Sequence, residues 1–454
     1  MTMTRMLDRR GPNRIKVLTV DPDAASTVDV ALANEKIPGH ETTSSMASRK
    51  GAVAAINGDF TLLPSDAGAG RPVDLFAEDG ELVTSSLIWG RNFAISSDET
   101  SVYIGHPKLR VSLIQQDTPQ LWKIPAWNDG VLEEGEFGVY TSLGGVSFAP
   151  PRNACSARLV PVEPFARAWA QQGTAVQENY SVDALRCASS KRMQRRGGIV
   201  VSARPDTRQS EKLMTQLVPD EVVSLTWTSG WPGVLDTVGG NPSLIEDGRY
   251  TIGPCEGSYF CERNPRTGIG VTADGKLLLV TVDGRSKRSV GMRLRPFAHL
   301  FRHLGATSAL NLDGGGSTTM WLKGNIVNRP SSGYERPVGS ALLVLPGADP
   351  GESSPIPEPT PSPSPTPSTE PTVLPSPSIS IPPSSTTTFR VGVTGAGVPY
   401  ARPERPCMSL HDAGSTGGFL DALASGSFGP QARLPRALRT ALGVYRGTRT
   451  CGDR

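Results

Sequence analysis

The sequence predicts an α+β protein: a domain built on a mixed β-sheet with packed helices, then a disordered Pro/Ser/Thr-rich linker and a small C-terminal segment. Three observations predict it. Short β-branched and apolar runs end in Asn, Asp and Gly, as at 53–59 and 309–316. One run, 293–304, places Leu294, Phe297, Phe301 and Leu304 on a single stripe at helical spacing. Residues 351–388 alternate Pro with Ser and Thr, a composition that cannot bury enough apolar surface to order itself.

Taken in order, 1–11 is expected to be a disordered N-terminus and 12–346 the main domain. Within that domain 14–19 and 53–57 read as strands, with a helix over 42–50 between them. Gly198–Ala203 and Val222–Thr228 read as strands flanking a helix over 208–217. Residues 268–282 read as a hairpin turning at Asp274-Gly275. In the helix 293–304, His299 and His303 are four apart, but the helical step puts both opposite the apolar stripe, on a solvated face. Residues 347–388 form the linker. Residues 389–454 form the small segment, with one helical pattern from Leu434 to Tyr445 and no assignable function.

The chain has 454 residues and a formal net charge of +3, so no nucleic-acid partner is implied. No apolar run is long enough to span a membrane. The segment Met1 to Arg14 lacks a signal-peptide core, which taken alone argues for the cytosol. The six cysteines argue for an oxidising compartment. Their sequence neighbours suggest three local bridges, Cys155–Cys187, Cys255–Cys261 and Cys407–Cys451. The expectation is a secreted protein whose export signal is not evident in this start.

The most informative stretch is Ala309-Leu310-Asn311-Leu312-Asp313-Gly314-Gly315-Gly316-Ser317-Thr318. Three consecutive glycines cost backbone entropy, so packing alone does not explain them. They permit positive φ and close backbone approach, and their amides can form a concave anion nest. Asn311 and Asp313 share one side of the strand by the period of two, and Ser317 and Thr318 follow. Asn57-Gly58-Asp59 repeats the pattern after its own strand. The triple glycine leads into a strand, 319–322, rather than a helix, which argues against a dinucleotide site.

Asn264-Pro265-Arg266, Val282-Asp283-Gly284-Arg285, Asn328-Arg329-Pro330-Ser331 and Glu335-Arg336-Pro337 complete a series of motifs. In this order the segments resemble the phosphodiester glycosidase family. The resemblance runs from about 12 to 346, is strong over 239–345 and thin over 105–190. It departs from the family pattern at Phe60-Thr61, where an aromatic pair is usual, and at the Cys255–Cys261 insert just before Arg266.

The resemblance implies a hydrolase that cleaves the glycosidic C–O bond of a sugar-1-phosphodiester in a glycan, cell-wall or capsular polymer. That chemistry needs carboxylates to hold water or oppose an oxocarbenium-like centre, and guanidinium forks to bind the departing phosphate. The carboxylate candidates are Asp59, Asp283 and Asp313. The substrate- and phosphate-binding candidates are Asn57, Arg266, Arg285, Asn311, Gly314, Gly315, Gly316, Ser317, Thr318, Asn328, Arg329 and Arg336. Each also has a plain structural reading, as a turn-forming Asp or a salt-bridging Arg. The resemblance implies no particular cofactor. A divalent cation, calcium or magnesium, would suit the oxygens of Asp59 and Asp313 with Asn57 and Asn311, but no loop has the Asp-x-Asp-x-Asp-Gly spacing that identifies calcium. Two other readings stay open: a phosphodiesterase that breaks P–O on the same scaffold, and a non-catalytic secreted glycan-binding protein. The C-terminal segment would serve cell-wall association.

Overall fold

A computed structural model describes residues 1–8, 11–22, 26–62, 69–86, 90–98, 101–115, 121–130, 132–162, 168–170, 175–253, 255 and 258–347. The linker, the C-terminal segment and Cys407–Cys451 lie outside the described residues.

The described residues are dominated by strands, with three α-helices, Thr43–Arg49, Arg208–Gln216 and Leu294–His303. The expected mixed sheet is instead a set of sheets that are almost wholly antiparallel. Among the described strands one pair, Ala126–Trp127 beside Phe137–Tyr140, is parallel. The cause is short connections: hairpins such as 266–282 cannot place strands parallel.

A seven-stranded sheet runs in the order Thr2–Asp8, Asn13–Val20, Leu277–Val282, Arg266–Thr272, Ala306–Asn311, Ser243–Glu246, Arg249–Tyr250. Thr2–Asp8 corrects the expected N-terminal disorder. It pairs with Asn13–Val20 from Thr2 opposite Thr19 to Asp8 opposite Asn13, and its Met3 and Met6 pack against core clusters. The hairpin of the sheet interior turns at Gly275 (φ +79°) as predicted.

Helix Leu294–His303 lies on this sheet because the sequence Thr267-Gly268-Ile269-Gly270 leaves room for two rings. A Cβ at Gly268 would sit 3.0 Å from Phe297 Cε1, and one at Gly270 would sit 2.7 Å from Phe301 Cδ1. Phe297 and Phe301 are fully buried. Burying each ring contributes on the order of 1.5–3 kcal/mol. His299 and His303 face solvent as expected, and His299 Nδ1 lies 3.1 Å from Tyr250 Oη.

A five-stranded sheet has Ala54–Asn57 at its centre, between Met320–Leu322 and Ser340–Pro346. Helix Thr43–Arg49 precedes it, its N-terminus capped by Thr42 Oγ1, which accepts from Ser45 N at 3.2 Å. A second five-stranded sheet contains Phe76–Glu78, Val234–Gly240 and Arg91–Ser96. The region with the thinnest family pattern forms its own nine-stranded sheet, which includes Cys155–Pro161, Ile199–Ala203 and Val222–Thr228. Helix Arg208–Gln216, started by a Thr207–Ser210 capping box, packs on it through Leu213. The Cys155–Cys187 and Cys255–Cys261 bridges are both formed.

Candidate active site

The strand ends Asn57 and Asn311 meet where the central five-stranded and seven-stranded sheets approach. Asp313 N donates to the Gly58 carbonyl at 3.1 Å, and Leu312 N to the Thr267 carbonyl at 2.9 Å. The two Asn/Asp motifs of the sequence are thus one structure.

The triple glycine works by close approach, not as an open anion nest. Residues 311–320 are all buried. Gly315 (φ +61°) donates its amide to the Pro265 carbonyl at 2.9 Å, and Ser317 donates to the Gly314 carbonyl at 3.1 Å. A Cβ at Gly314 would lie 2.7 Å from the Pro265 oxygen, and one at Gly316 would collide with the Arg336 guanidinium. Gly316 is glycine so that Arg336 can lie against the loop backbone.

The asparagines clamp backbone segments together. Asn57 Nδ2 donates to the Asp313 carbonyl at 2.7 Å, while its Oδ1 accepts from Thr267 Oγ1 at 2.8 Å and Thr319 N at 3.1 Å. Asn328 accepts from Met320 N at 2.8 Å and donates to the Thr318 carbonyl at 2.9 Å. Asn311 Nδ2 donates to the carbonyls of Asn241 and Leu312 at 2.7 and 2.9 Å; its Oδ1 is buried without a hydrogen-bond partner. The Thr318 hydroxyl is also buried without one.

The three candidate aspartates separate. Asp313 is 4% exposed, and its Oδ1 is buried with no hydrogen-bond partner. Burial pushes its carboxyl up to about 6; hydrogen bonds from Ser317 and Gly314 and the charges of Arg336 and Arg285 oppose that rise. Asp59 is more deeply sealed, and both its oxygens are used: Oδ1 accepts from Phe60 N at 2.7 Å and Oδ2 from Asp74 N at 2.8 Å. Burial, then the neighbouring Asp74 carboxyl group, raises its pKa, and Asp313 adds to the rise. Asp283 stands apart. Its Oδ1 accepts from Arg329 N at 2.9 Å, which makes it an anchor for the 328–331 loop; burial raises its pKa too. Of the three, Asp313 is the one with a buried carboxylate oxygen that has no hydrogen-bond partner.

The four arginines also separate. Arg266 is fully buried and holds three carbonyls: Nε donates to Met292 at 2.9 Å, and Nη2 to Phe260 at 2.7 Å and Glu262 at 2.9 Å. Burial, then the nearby charge of Arg285, lowers its pKa to about 9. Its bonds tie the strand to the rim segment closed by Cys255–Cys261. Arg285 is exposed, with positive φ (+57°); its Nη2 donates to Asn264 Oδ1 at 3.1 Å and its guanidinium lies 5.4 Å from the Tyr259 ring centroid. Arg336 lies against Gly316, within electrostatic reach of Asp313. Arg329 is exposed and engages Asp283 through its backbone.

Sequence reasoning missed Asp74, fully buried beside Asp59, and Arg71, whose guanidinium donates to the carbonyls of Asn128, Pro72 and Ser85 at 3.2, 3.0 and 2.9 Å. The available signal was a pair of charges in an otherwise apolar Arg71-Pro72-Val73-Asp74-Leu75 stretch. It also missed a group of three carboxylates, Asp29, Asp79 and Asp236, whose oxygens lie within 4.8 Å of one another. That group could hold a cation; Lys50 lies beside it, 3.7 Å from Asp79 Oδ2.

Residues 173–345 match the family model described as phosphodiester glycosidase. Over this span the chain resembles that family, as its motifs suggest. Over 82 residues it is 42% identical to the SPbeta prophage-derived uncharacterized protein YomE of Bacillus subtilis, a stretch that covers 18% of this chain and 13% of that protein. Over 66 residues it is 38% identical to N-acetylglucosamine-1-phosphodiester alpha-N-acetylglucosaminidase of Mus musculus, covering 14% of this chain and 13% of that enzyme. The matches thus span a small part of these relatives' length. The fold is shared with a hypothetical protein from Synechocystis, at a TM-score of 0.58 and 20% identity over 75% of this chain and 61% of that one. It is shared also with a candidate exported protein of Burkholderia pseudomallei, at a TM-score of 0.53 and 23% identity over 74% of each chain. The matched span contains Asp283, Asp313 and all four arginines; Asn57, Asp59 and Asp74 lie before it and reach the site through the fold.

Proposed function

We propose that this protein hydrolyses the glycosidic C–O bond of a sugar-1-phosphodiester, releasing the sugar and a phosphomonoester. The observation that carries this reading is Asp313: a sealed carboxylate with one unpartnered oxygen, flanked by the charges of Arg336 and Arg285. A carboxylate beside guanidinium groups matches the charge pattern of the breaking bond. The anomeric carbon becomes positive as the C–O bond lengthens, and the phosphate oxygen leaves with the electron pair. Asp313 would oppose the cationic carbon, and Arg336 and Arg285 would receive the phosphate. Water adds to the anomeric carbon and loses its proton to a carboxylate or to solvent. A phosphate is a good leaving group, so the step needs little general acid help.

The family of the matched domain supports a hydrolase acting on sugar phosphodiesters in general, and the mouse relative's name supports the class of substrate. We place the protein outside the cell, a reading the two disulfides support. The proposed architecture is a catalytic domain over 12–346, a linker over 347–388 and a segment over 389–454 that associates with cell wall.

The test is a panel of sugar-1-phosphodiesters incubated in isotopically labelled water. Label on the released sugar supports C–O cleavage. Label on the phosphate would convert the reading to a phosphodiesterase. No turnover across the panel would favour a glycan-binding protein.

A further inference from the structure

Asp59 and Asp74 are buried carboxyl groups pressed onto one glycine. A Cβ at Gly239 would strike Asp74 Cβ and would sit 2.5 Å from Asp59 Oδ2. A Cβ at Gly90 would strike the Asp74 carboxyl from the other side. The two groups are 1% and 0% exposed. Adjacent carboxyls sealed from water cannot both be ionised without a large cost.

The hydrogen bonds around the two carboxyl groups differ. Both oxygens of Asp59 accept backbone amides, from Phe60 and Asp74. Asp74 Oδ1 accepts from Ser86 Oγ and Gly90 N, each at 2.8 Å. Asp74 Oδ2 alone is buried with no hydrogen-bond partner. An anionic oxygen there would be unpaired, whereas a protonated one carries no charge and leaves Asp59 the anion that its two amide donors favour.

We propose that Asp74 is a positioning residue: it holds a proton on Oδ2, leaves Asp59 as the anion, and thereby keeps the Gly58–Asp59 segment and Asp313 in register. The route is short. Asp59 N donates to Ser340 Oγ at 3.1 Å, and the preceding Gly58 carbonyl accepts Asp313 N at 3.1 Å. Loss of the proton would set two buried anions against each other and push on the peptide that holds Asp313. The effect on catalysis rests on the hydrolase reading above; the proton itself does not.

The groups that face Asp74 are few. Asp59 is beside it, and Asp313 lies beyond Asp59. The charges of Arg71 and Arg91 favour its ionised form, and burial, the larger effect, raises its pKa to about 7. His106 Nδ1 lies 3.0 Å from the Gly90 carbonyl.

The experiment compares the whole protein with Asp74→Asn and Asp74→Ala. Asn keeps the shape and, like the protonated carboxyl, carries no charge. A carboxyl raised from 3.8 to about 7 takes up a proton on folding between those values, so its share of stability is full below pH 3.8 and is lost as pH rises through about 7. Asp74→Asn is expected to take up about one proton fewer than wild type on folding near pH 6. In sugar-phosphodiester turnover it should exceed Asp74→Ala by about tenfold or more, because Ala leaves the Gly90 amide without its partner. Infrared difference spectra between pH 5 and 9 should show, besides the Asp313 band common to both proteins, a second protonated-carboxyl band in the wild type that Asp74→Asn lacks; this measurement stands if Ala fails to fold. Equal proton uptake in wild type and Asn, or the same bands in both, would overturn the protonated Asp74. Asn and Ala with equal turnover would overturn its positioning role. A wild type inactive on every substrate defeats the hydrolase reading and with it the positioning role, while the proton count still decides the protonation of Asp74.

Discussion

Asn57 Nδ2 donates to the Asp313 carbonyl at 2.7 Å across 256 positions of sequence. That bond, with the Thr267 and Thr319 donors to Asn57 Oδ1, fixes the start of the glycine loop. Asn57→Ala should therefore act on stability and activity together. It strands a buried hydroxyl and a buried amide, at a cost of about 1–3 kcal/mol each. Denaturant unfolding is the check, and a midpoint equal to wild type would remove the clamp role.

Asp313→Asn is expected to abolish turnover with native-like thermal stability. Asn keeps the shape but removes the charge that opposes a cationic carbon. Wild-type activity in this variant would take Asp313 out of the site.

Asp313 also sets an acid limit. Its carboxyl is raised from 3.8 to about 6, so its share of stability is full below 3.8 and is lost as pH rises through 6. Activity runs the opposite way, because the ionised form is the one required. Turnover should climb with pH through about 6 while this contribution to stability falls. A rate independent of pH between 4.5 and 7.5 would contradict this assignment.

Gly316→Ala should displace the Arg336 guanidinium, since a Cβ there collides with it. The expected result is a raised KM, with a loss of about 1–3 kcal/mol in kcat/KM for one charged hydrogen bond. A KM like that of wild type would show that Arg336 does not touch substrate.

Arg266 and Arg285 should respond differently. Arg266→Gln removes bonds to three carbonyls and should lower stability strongly, by about 3 kcal/mol or more. Arg285→Lys should leave stability near wild type and reduce kcat/KM by about 2–3 kcal/mol, because an ammonium cannot replace a fork that also lies over Tyr259. The reverse pattern in paired melting and kinetic measurements would exchange their roles.

The sequence alone determined the local elements whose signals are short-range. The helix at 293–304 was legible because its apolar stripe is periodic, and the 268–282 hairpin because Asp274-Gly275 demands a positive φ. The two short bridges, Cys155–Cys187 and Cys255–Cys261, were legible from proximity in the chain. The strand Thr2–Asp8 was not, because its order comes from a partner strand rather than from its own composition. Asp59 and Asp313 could be named as motif residues, but their difference could not. One has both oxygens on backbone amides and the other has an oxygen with no partner, a matter of which chain segments arrive from elsewhere. Arg266 looked like a phosphate ligand until three carbonyls closed around it. Asp74 carried no motif at all; only the packing of Gly90 and Gly239 against it makes its proton matter. Residue chemistry is written along the chain, whereas desolvation and hydrogen-bond satisfaction depend on neighbours that only the folded structure supplies.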